Sequence, residues 1–281
     1  MRTRASAFAW PVLRRFDADH LARIAMPVGG IGTGCISFGG RGDLRDWEVG
    51  NAPNKGFVPG KTGLILWAQA PGAPAVTRLL EGPIPQAQYE GAFGASVANH
   101  GLPRFREASF ASAYPFGQVD LADDDVPLTA TVQAFNPLIP GDVAASSHPV
   151  AVLRVVLRNP GRKPVKASVC ANLENFIGCD VFARAPKCNR NAWREERGLR
   201  GVFMDSAGVD PASPNWGSLA LATTSTGSVS HRTAWAEVSW GDSLLDFWDD
   251  FSADGALEQR TQVAEQAPAA SLAVRALVPP G

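Results

Sequence analysis

Short runs of alternating or β-branched apolar residues recur along this chain, and glycine or proline closes almost every one. TGLILWAQA, AVTRLL, LTATVQAF, PVAVLRVVLRNP, KPVKASVCANLEN, GVFMD, SLALATT, SVSHRTAW and SLAVRALV are the clearest. A two-residue period, or a brief unbroken apolar run, suits a strand; an amphipathic helix needs a period of 3.6. With 28 glycines and 22 prolines as punctuation, the pattern predicts an all-β chain: a large β-sandwich with long loops. At 281 residues and 45% hydrophobic content, the chain can bury a substantial core. One helical segment is expected in SLLDFWDDFSADGAL, where Leu244, Leu245, Phe247, Trp248 and Phe251 alternate with acids and Asp254-Gly255 marks the end.

Four local readings follow. AVLRVVLRN is nearly continuous in apolar residues and reads as a strand buried on both sides or in a sandwich centre. RNPGRKPV reads as a turn between two antiparallel strands, with Pro160-Gly161 at its tip. CDVFARAPKCNRNAWREERGLRG lacks periodicity and reads as a loop or lid, and DGALEQRTQVAEQAPAASL as a polar connection before the last strand.

The densest glycine stretch, MPVGGIGTGCISFGG, invites a nucleotide-binding reading that its spacing refuses. Gly30 and Gly32 leave Cys35 at the closing position of G-x-G-x-x-G, and Gly32 and Gly34 leave Ser37. No buried strand precedes the stretch, no helix follows it, and no Gly-Lys-Ser/Thr triplet is present. Ile31 to Phe38 instead reads as a strand entered and left through tight glycine turns. Arg41, Asp43, Arg45, Asp46, Trp47 and Glu48 follow at once and suggest a polar network at a domain surface or interface.

Chemistry of other kinds is thinly supported. G-x-S-x-G is absent, and the four histidines have no metal-ligand spacing. Cys35, Cys170, Cys179 and Cys188 form no C-x-x-C pair and read as reduced thiols of a cytoplasmic protein. No metal or cofactor is expected. The acids of DDD (Asp123 to Asp125) read as a surface turn, and those of DFWDDF (Asp246 to Phe251) as a solvated helix face. Neither makes a glycosidase carboxylate pair. A net charge of −1 implies no nucleic-acid partner. No apolar run is long enough for a transmembrane segment, and the first twenty residues lack the apolar core of a signal peptide. Trp193 and Trp216 are the tryptophans best placed to stack on sugar rings, against the ordinary expectation that large aromatics lie in the core.

Two stretches carry a family resemblance. Pro27, Val28, Gly29, Gly30, Ile31, Gly32 and Gly34, followed by Arg41, Gly42, Trp47 and Asn51, are similar to the N-terminal motif of glycoside hydrolase family 116. That is the family of the non-lysosomal glucosylceramidase, or bile-acid β-glucosidase, and its bacterial β-glucosidase relatives; Val28 stands where its pattern has leucine. ASAYPFGQVDL and then FNPLIPGDVAASSHPVAVLRVVLRNPGRKPVKASVCANLEN resemble its Tyr-Pro element and the strand pair beyond, with His148 where leucine is common. The resemblance runs from about Ala25 onward.

It implies a lead-in over residues 1–25 and the N-terminal β-sandwich domain of a retaining β-glucosidase or glucosylceramidase over residues 26–281. The family's nucleophile and acid/base residues belong to an (α/α)6 catalytic barrel, and neither maps onto this chain. The expected partner is that barrel, with a β-glucoside substrate reaching the protein through it. Gly29, Gly30, Gly32, Gly34, Arg41, Asp43, Arg45 and Trp47 are the expected structural or interface motif. The ending ALVPPG reads as passage into a linker or further strand. The alternative is a free-standing sandwich that binds carbohydrate or a partner protein without catalysis.

Overall fold

The structure is a computed structural model and describes residues 14–50, 53–85, 98–179, 188–238, 242–260 and 268–281. Among them the chain is all-β in character, with every strand ladder antiparallel. A meander sheet has the order β1 (Arg14–Phe16), β7 (Glu107–Ala113), β8 (Phe116–Ala122), β9 (Thr129–Phe135), β10 (Val152–Arg158). A crossover sheet has the order β15 (Ser228–Arg232), β16 (Ala269–Val278), β11 (Val165–Glu174), β5 (Gly63–Gln69), β6 (Val76–Leu79). Two three-stranded sheets complete the set: β2 (Ala25–Val28), β3 (Cys35–Gly39) and β4 (Leu44–Glu48), then β12 (Asn189–Glu196), β13 (Leu199–Ser206) and β14 (Leu219–Thr223). The helices are a single turn, α1 (Val143–Ser146), and the longer α2 (Asp242–Asp254).

Alternation sets which side chains turn inward. Val119 and Leu121 of β8 and Ala130, Val132 and Ala134 of β9 enter one core with Leu66 and Ala68 of β5, Val165 and Ala167 of β11, Phe38 of β3 and Val202 of β13. On its other side β5 sends Ile65 and Trp67 into a second cluster with Phe247 and Phe251 of α2. Burial on both faces explains why β5 is apolar almost throughout. In α2, Phe247 and Phe251 are four residues apart and share the inward stripe, Phe247 stacking on Trp235 with ring centroids 4.5 Å apart. Gly255 ends the helix at φ 72°, its N–H donating to the Phe251 carbonyl over 2.9 Å.

Several local readings need correction. β10 is an edge strand with Arg154, Val156 and Arg158 exposed, so it is buried on one face only. Arginine on an unpaired edge also discourages pairing with another chain. RNPGRKPV does not join a hairpin, because β10 belongs to the meander sheet and β11 to the crossover sheet. Asn159 holds this passage, donating from Nδ2 to the Lys163 and Val278 carbonyls and accepting from the Gly161 N–H.

The stretch read as a lid contains the β12–β13 hairpin, its tip formed by Arg197 and Gly198 at positive φ. Its residues 180–187 lie outside the described residues. The β12 pattern looks irregular because its inward face begins with asparagines. Asn189 donates to the Asn175 and Ile177 carbonyls, and Asn191 to those of Thr233 and Pro268. The strand expected from Ile31 begins only at Cys35. Nor are the acids simply solvated: the Asp123 side chain is fully buried against Arg78, and Asp246 and Asp250 both turn to Arg232. Residues 1–13, Asn51 and 261–267, which carry part of the lead-in, one motif residue and the middle of the polar connection, also lie outside the described residues; the end of that connection, from Ala269, is already part of β16.

Candidate functional site

The glycine stretch is the loop between β2 and β3, and it is packed against a segment more than a hundred residues away. The Gly29 N–H donates to Asn136 Oδ1 over 2.6 Å, while Asn136 Nδ2 donates to the Pro27 carbonyl at 2.8 Å and approaches the Tyr114 hydroxyl at 3.3 Å. The backbone N–H of Asn136 reaches the Pro115 carbonyl. Buried Asn136 thus ties the glycine loop, the turn at Tyr114-Pro115 and the end of β9 together, using both ends of its amide.

Further along the loop, the Ile31 N–H donates to the Ser146 carbonyl at 2.9 Å. Ser146 sits in α1, which Asp142 caps by accepting from the Ala145 N–H, and its hydroxyl bridges to both backbone groups of Ile139. Close backbone contact requires glycine at Gly29, against the Gly34 carbonyl, and at two further sites. A Cβ on Gly30 would run into the His148 carbonyl, and one on Gly34, at φ 85°, would meet the backbone of Glu48 and Val49 at 2.6 Å. Gly32 lies at the exposed tip with open space around it. On the far side Gly50 lies against Asn215, whose carbonyl accepts from the Gly178 N–H.

The loop therefore touches segments 146–148 and 48–49, and Gly50 in turn touches 214–215. On these segments or next to them in the chain, Ile31, Ile139, Val143 and Trp216 are each more than half exposed.

The ionic motif lies elsewhere, at the β3–β4 turn, and inside the chain. Arg41, Asp43 and Trp47 are buried and Arg45 partly so. Arg41 Nη1 bonds Glu81, Nη2 lies 3.4 Å from Asp43, and Arg104 Nε shares the same Glu81 oxygen at 3.0 Å. Arg45 stands 3.8 Å from Asp43 and donates to the Ile24 carbonyl. Trp47 packs edge-on to Phe176, with centroids 5.4 Å apart. Next to the network, burial pushes the Asp46 carboxyl up, but hydrogen bonds from the Gly56 N–H and Ser37 and the charges of Lys55 and Arg45 outweigh it and hold it below the usual aspartate value.

The two tryptophans differ. Trp193 is half-buried, with one ring face covered by His231 (centroids 3.8 Å, planes 9° apart) and Nε1 bonded to Glu195. Burial pulls the His231 imidazole below its ordinary value, against the pull of Glu195. Trp216 is open to solvent. Asn136, Glu81, Arg104 and Ser146 were not legible as parts of either cluster. Each looks ordinary in the sequence, and the partner that draws it into its cluster is 23 residues or more away.

Among the described residues, no group of three or more histidines, cysteines, aspartates or glutamates is placed to hold a metal ion. No helix there is long and apolar enough to cross a membrane. The family model described as beta-glucosidase 2, glycosyl-hydrolase family 116 N-terminal, matches residues 25–281.

Proposed function

The chain belongs to the N-terminal domain family of glycoside hydrolase family 116, and from that premise we propose that it packs on and supports a catalytic (α/α)6 barrel while doing no hydrolysis itself. The complete enzyme acts in the cytoplasm on β-linked glucosides, glucosylceramide among them, with retention of configuration. The core shared by the meander and crossover sheets supports reading them as the two layers of a sandwich.

One observation carries the docking role: Ile31 on the glycine loop, Ile139 and Val143 on the segment bonded to it, and Trp216 beside Asn215 are large apolar side chains left more than half exposed. A loop held by backbone hydrogen bonds on one side and glycine contacts on the other fixes the backbone that carries Ile31, which lowers the entropy lost on association. The buried Arg41 network and Trp47 stiffen the adjoining turn from within.

The test compares the 281-residue chain with the same chain joined to a family catalytic barrel. The chain alone should not turn over an aryl β-glucoside. In the joined protein, Ile31→Asp with Val143→Asp should lower the unfolding midpoint and the activity, each exposed anchor contributing about 1–2 kcal/mol of interface energy. The chain alone should keep its midpoint. Wild-type behaviour of the doubly substituted joined protein, or turnover by the chain alone, would refute the proposal.

A further inference from the structure

The loop of residues 53–62, which leads into β5, is fastened to the end of β11 at two points. The first is apolar. Phe176 packs edge-on against both Trp47 and Phe57, with centroids 5.4 and 6.0 Å apart, and the Trp47 N–H donates to the Phe57 carbonyl over 3.0 Å. The second is Glu174, the last residue of β11. A Cβ on Gly60 would lie 2.3 Å from Glu174 Oε2, so the loop backbone runs against the carboxyl group, and the Gly60 N–H is its backbone donor.

Lys61 is set to complete this second point and does not. The β5–β11 ladder ends with Asn172 opposite Gly63, and two residues further the same alternation puts Lys61 opposite Glu174. Lys61 instead adopts φ 59°, and its ammonium lies over the Trp235 ring, 5.5 Å from the centroid. Trp235 is itself fixed, stacked on Phe247 and bonded from Nε1 to Ser271 Oγ at 2.7 Å. Half-buried Glu174 is left with no ion pair among the described residues. Lys61 is the charged group there whose field acts on it. The residues around it on the sheet, Ala269 and Ser271 of β16, Asn172 of β11 and Gly63 of β5, carry no charge.

We propose that Glu174 and Lys61 form a proton-operated catch on this loop. With a proton on Glu174 the arrangement is the one described, Lys61 resting on Trp235 and the neutral carboxyl still accepting from Gly60. When Glu174 gives its proton to solvent, the half-buried carboxylate draws the Lys61 ammonium off the ring and into an ion pair. Two observations set this direction. Burial pushes the Glu174 carboxyl above the ordinary glutamate value, against the opposing effects of Lys61 and the Gly60 N–H. An ammonium set opposite a carboxyl group lies on an aromatic face instead, as a lysine does when its acidic neighbour is neutral. Phe176 has no proton to lose, so the loop has one fastening that ignores pH and one that follows it. The catch does not depend on the docking role of the glycine loop.

The experiment follows the Gly60 amide and the Trp235 indole N–H of the 281-residue chain by NMR from about pH 8 down to about 4. Both should titrate with one shared midpoint above the ordinary glutamate value of about 4.3, and Glu174→Gln should abolish both responses. Lys61→Met should keep the Gly60 response, move its midpoint upward and lose most of the Trp235 response. Unfolding in urea gives a second readout. The folded chain holds this proton more tightly than the unfolded chain, so ionised Glu174 costs stability at about pH 8, and the cost disappears as pH falls through the folded value. Glu174→Gln should therefore unfold at a higher urea concentration than the parent at about pH 8 and converge with it toward about pH 4. A midpoint at or below the ordinary value, a Trp235 response unchanged in Lys61→Met, or equal urea midpoints at the alkaline end would overturn the proposal.

Discussion

Two buried arginines organise two regions of this molecule, and they do so differently. Arg41, at the β3–β4 turn, bonds Glu81 and lies beside Asp43, but Arg104 shares Glu81 and Arg45 stands near Asp43. Arg232, at the end of β15, has no solvent exposure; it bonds Asp246 at 2.8 Å and Asp250 at 2.6 Å from its two Nη atoms, and the Glu258 carbonyl from Nε. The first is a redundant network inside a loop region. The second is a clamp fastening α2 to the edge of the crossover sheet. A buried charge is most costly when its counter-charge is removed. The number of alternative partners, more than burial itself, should therefore decide how much each arginine matters.

The sharpest way to break this comparison is Arg232→Met. It leaves Asp250, whose side chain is 11% exposed, with no cation among the described residues, and should cost about 3–5 kcal/mol in urea unfolding. Arg41→Met should cost less, about 1–3 kcal/mol, because Glu81 keeps Arg104 and Asp43 keeps Arg45. Equal midpoint shifts for the two variants would show that redundancy does not protect the loop network.

The smallest effect is in acid. Burial raises the Asp246 carboxyl, but the hydrogen bonds and charges of Arg232 and Arg260 outweigh it and leave its value below the ordinary aspartate range. A depressed folded value means that the unfolded chain takes up the proton more readily. The stability Asp246 contributes is thus complete above its ordinary value of about 3.9 and is lost as pH falls through the lower folded value. Stability measured from pH 6 down to about 2.5 should fall less steeply in Asp246→Asn than in the parent. An identical slope would remove Asp246 from the clamp's acid response.

The same comparison explains what the sequence disclosed. Arg41 and Asp43 are two residues apart beside Trp47, so a polar network there is visible locally. Its burial is not, because Glu81 and Arg104 come from distant segments. Asp246 and Asp250 are four apart and look like the wet stripe of a helix; nothing in SVSHRTAW announces that Arg232 faces them. The all-β class was legible because inward valines, leucines and alanines impose a two-residue rhythm. β12 escaped because Asn189 and Asn191 occupy inward positions where apolar residues are expected, and they bond backbone carbonyls instead of packing. The glycine loop could be recognised as a tight turn. Its seat against Ile139–His148 could not, since Asn136 reveals its role only once β9 has brought it beside Gly29.

The place of β16 sets the order in which the protein can be completed on a ribosome. Strands β7 to β10 are neighbours in both sequence and space, so the meander can assemble soon after it leaves the exit tunnel. The crossover sheet has to wait. β11 finds β5 early, but its other edge stays open until residues 269–278 arrive to lie between β11 and β15. From the synthesis of β11 to that of β16 takes roughly 5–20 s at ordinary elongation rates. For that interval the nascent chain exposes the open edge of a ten-residue strand, a target for chaperones and for stray pairing with a neighbouring polysome product.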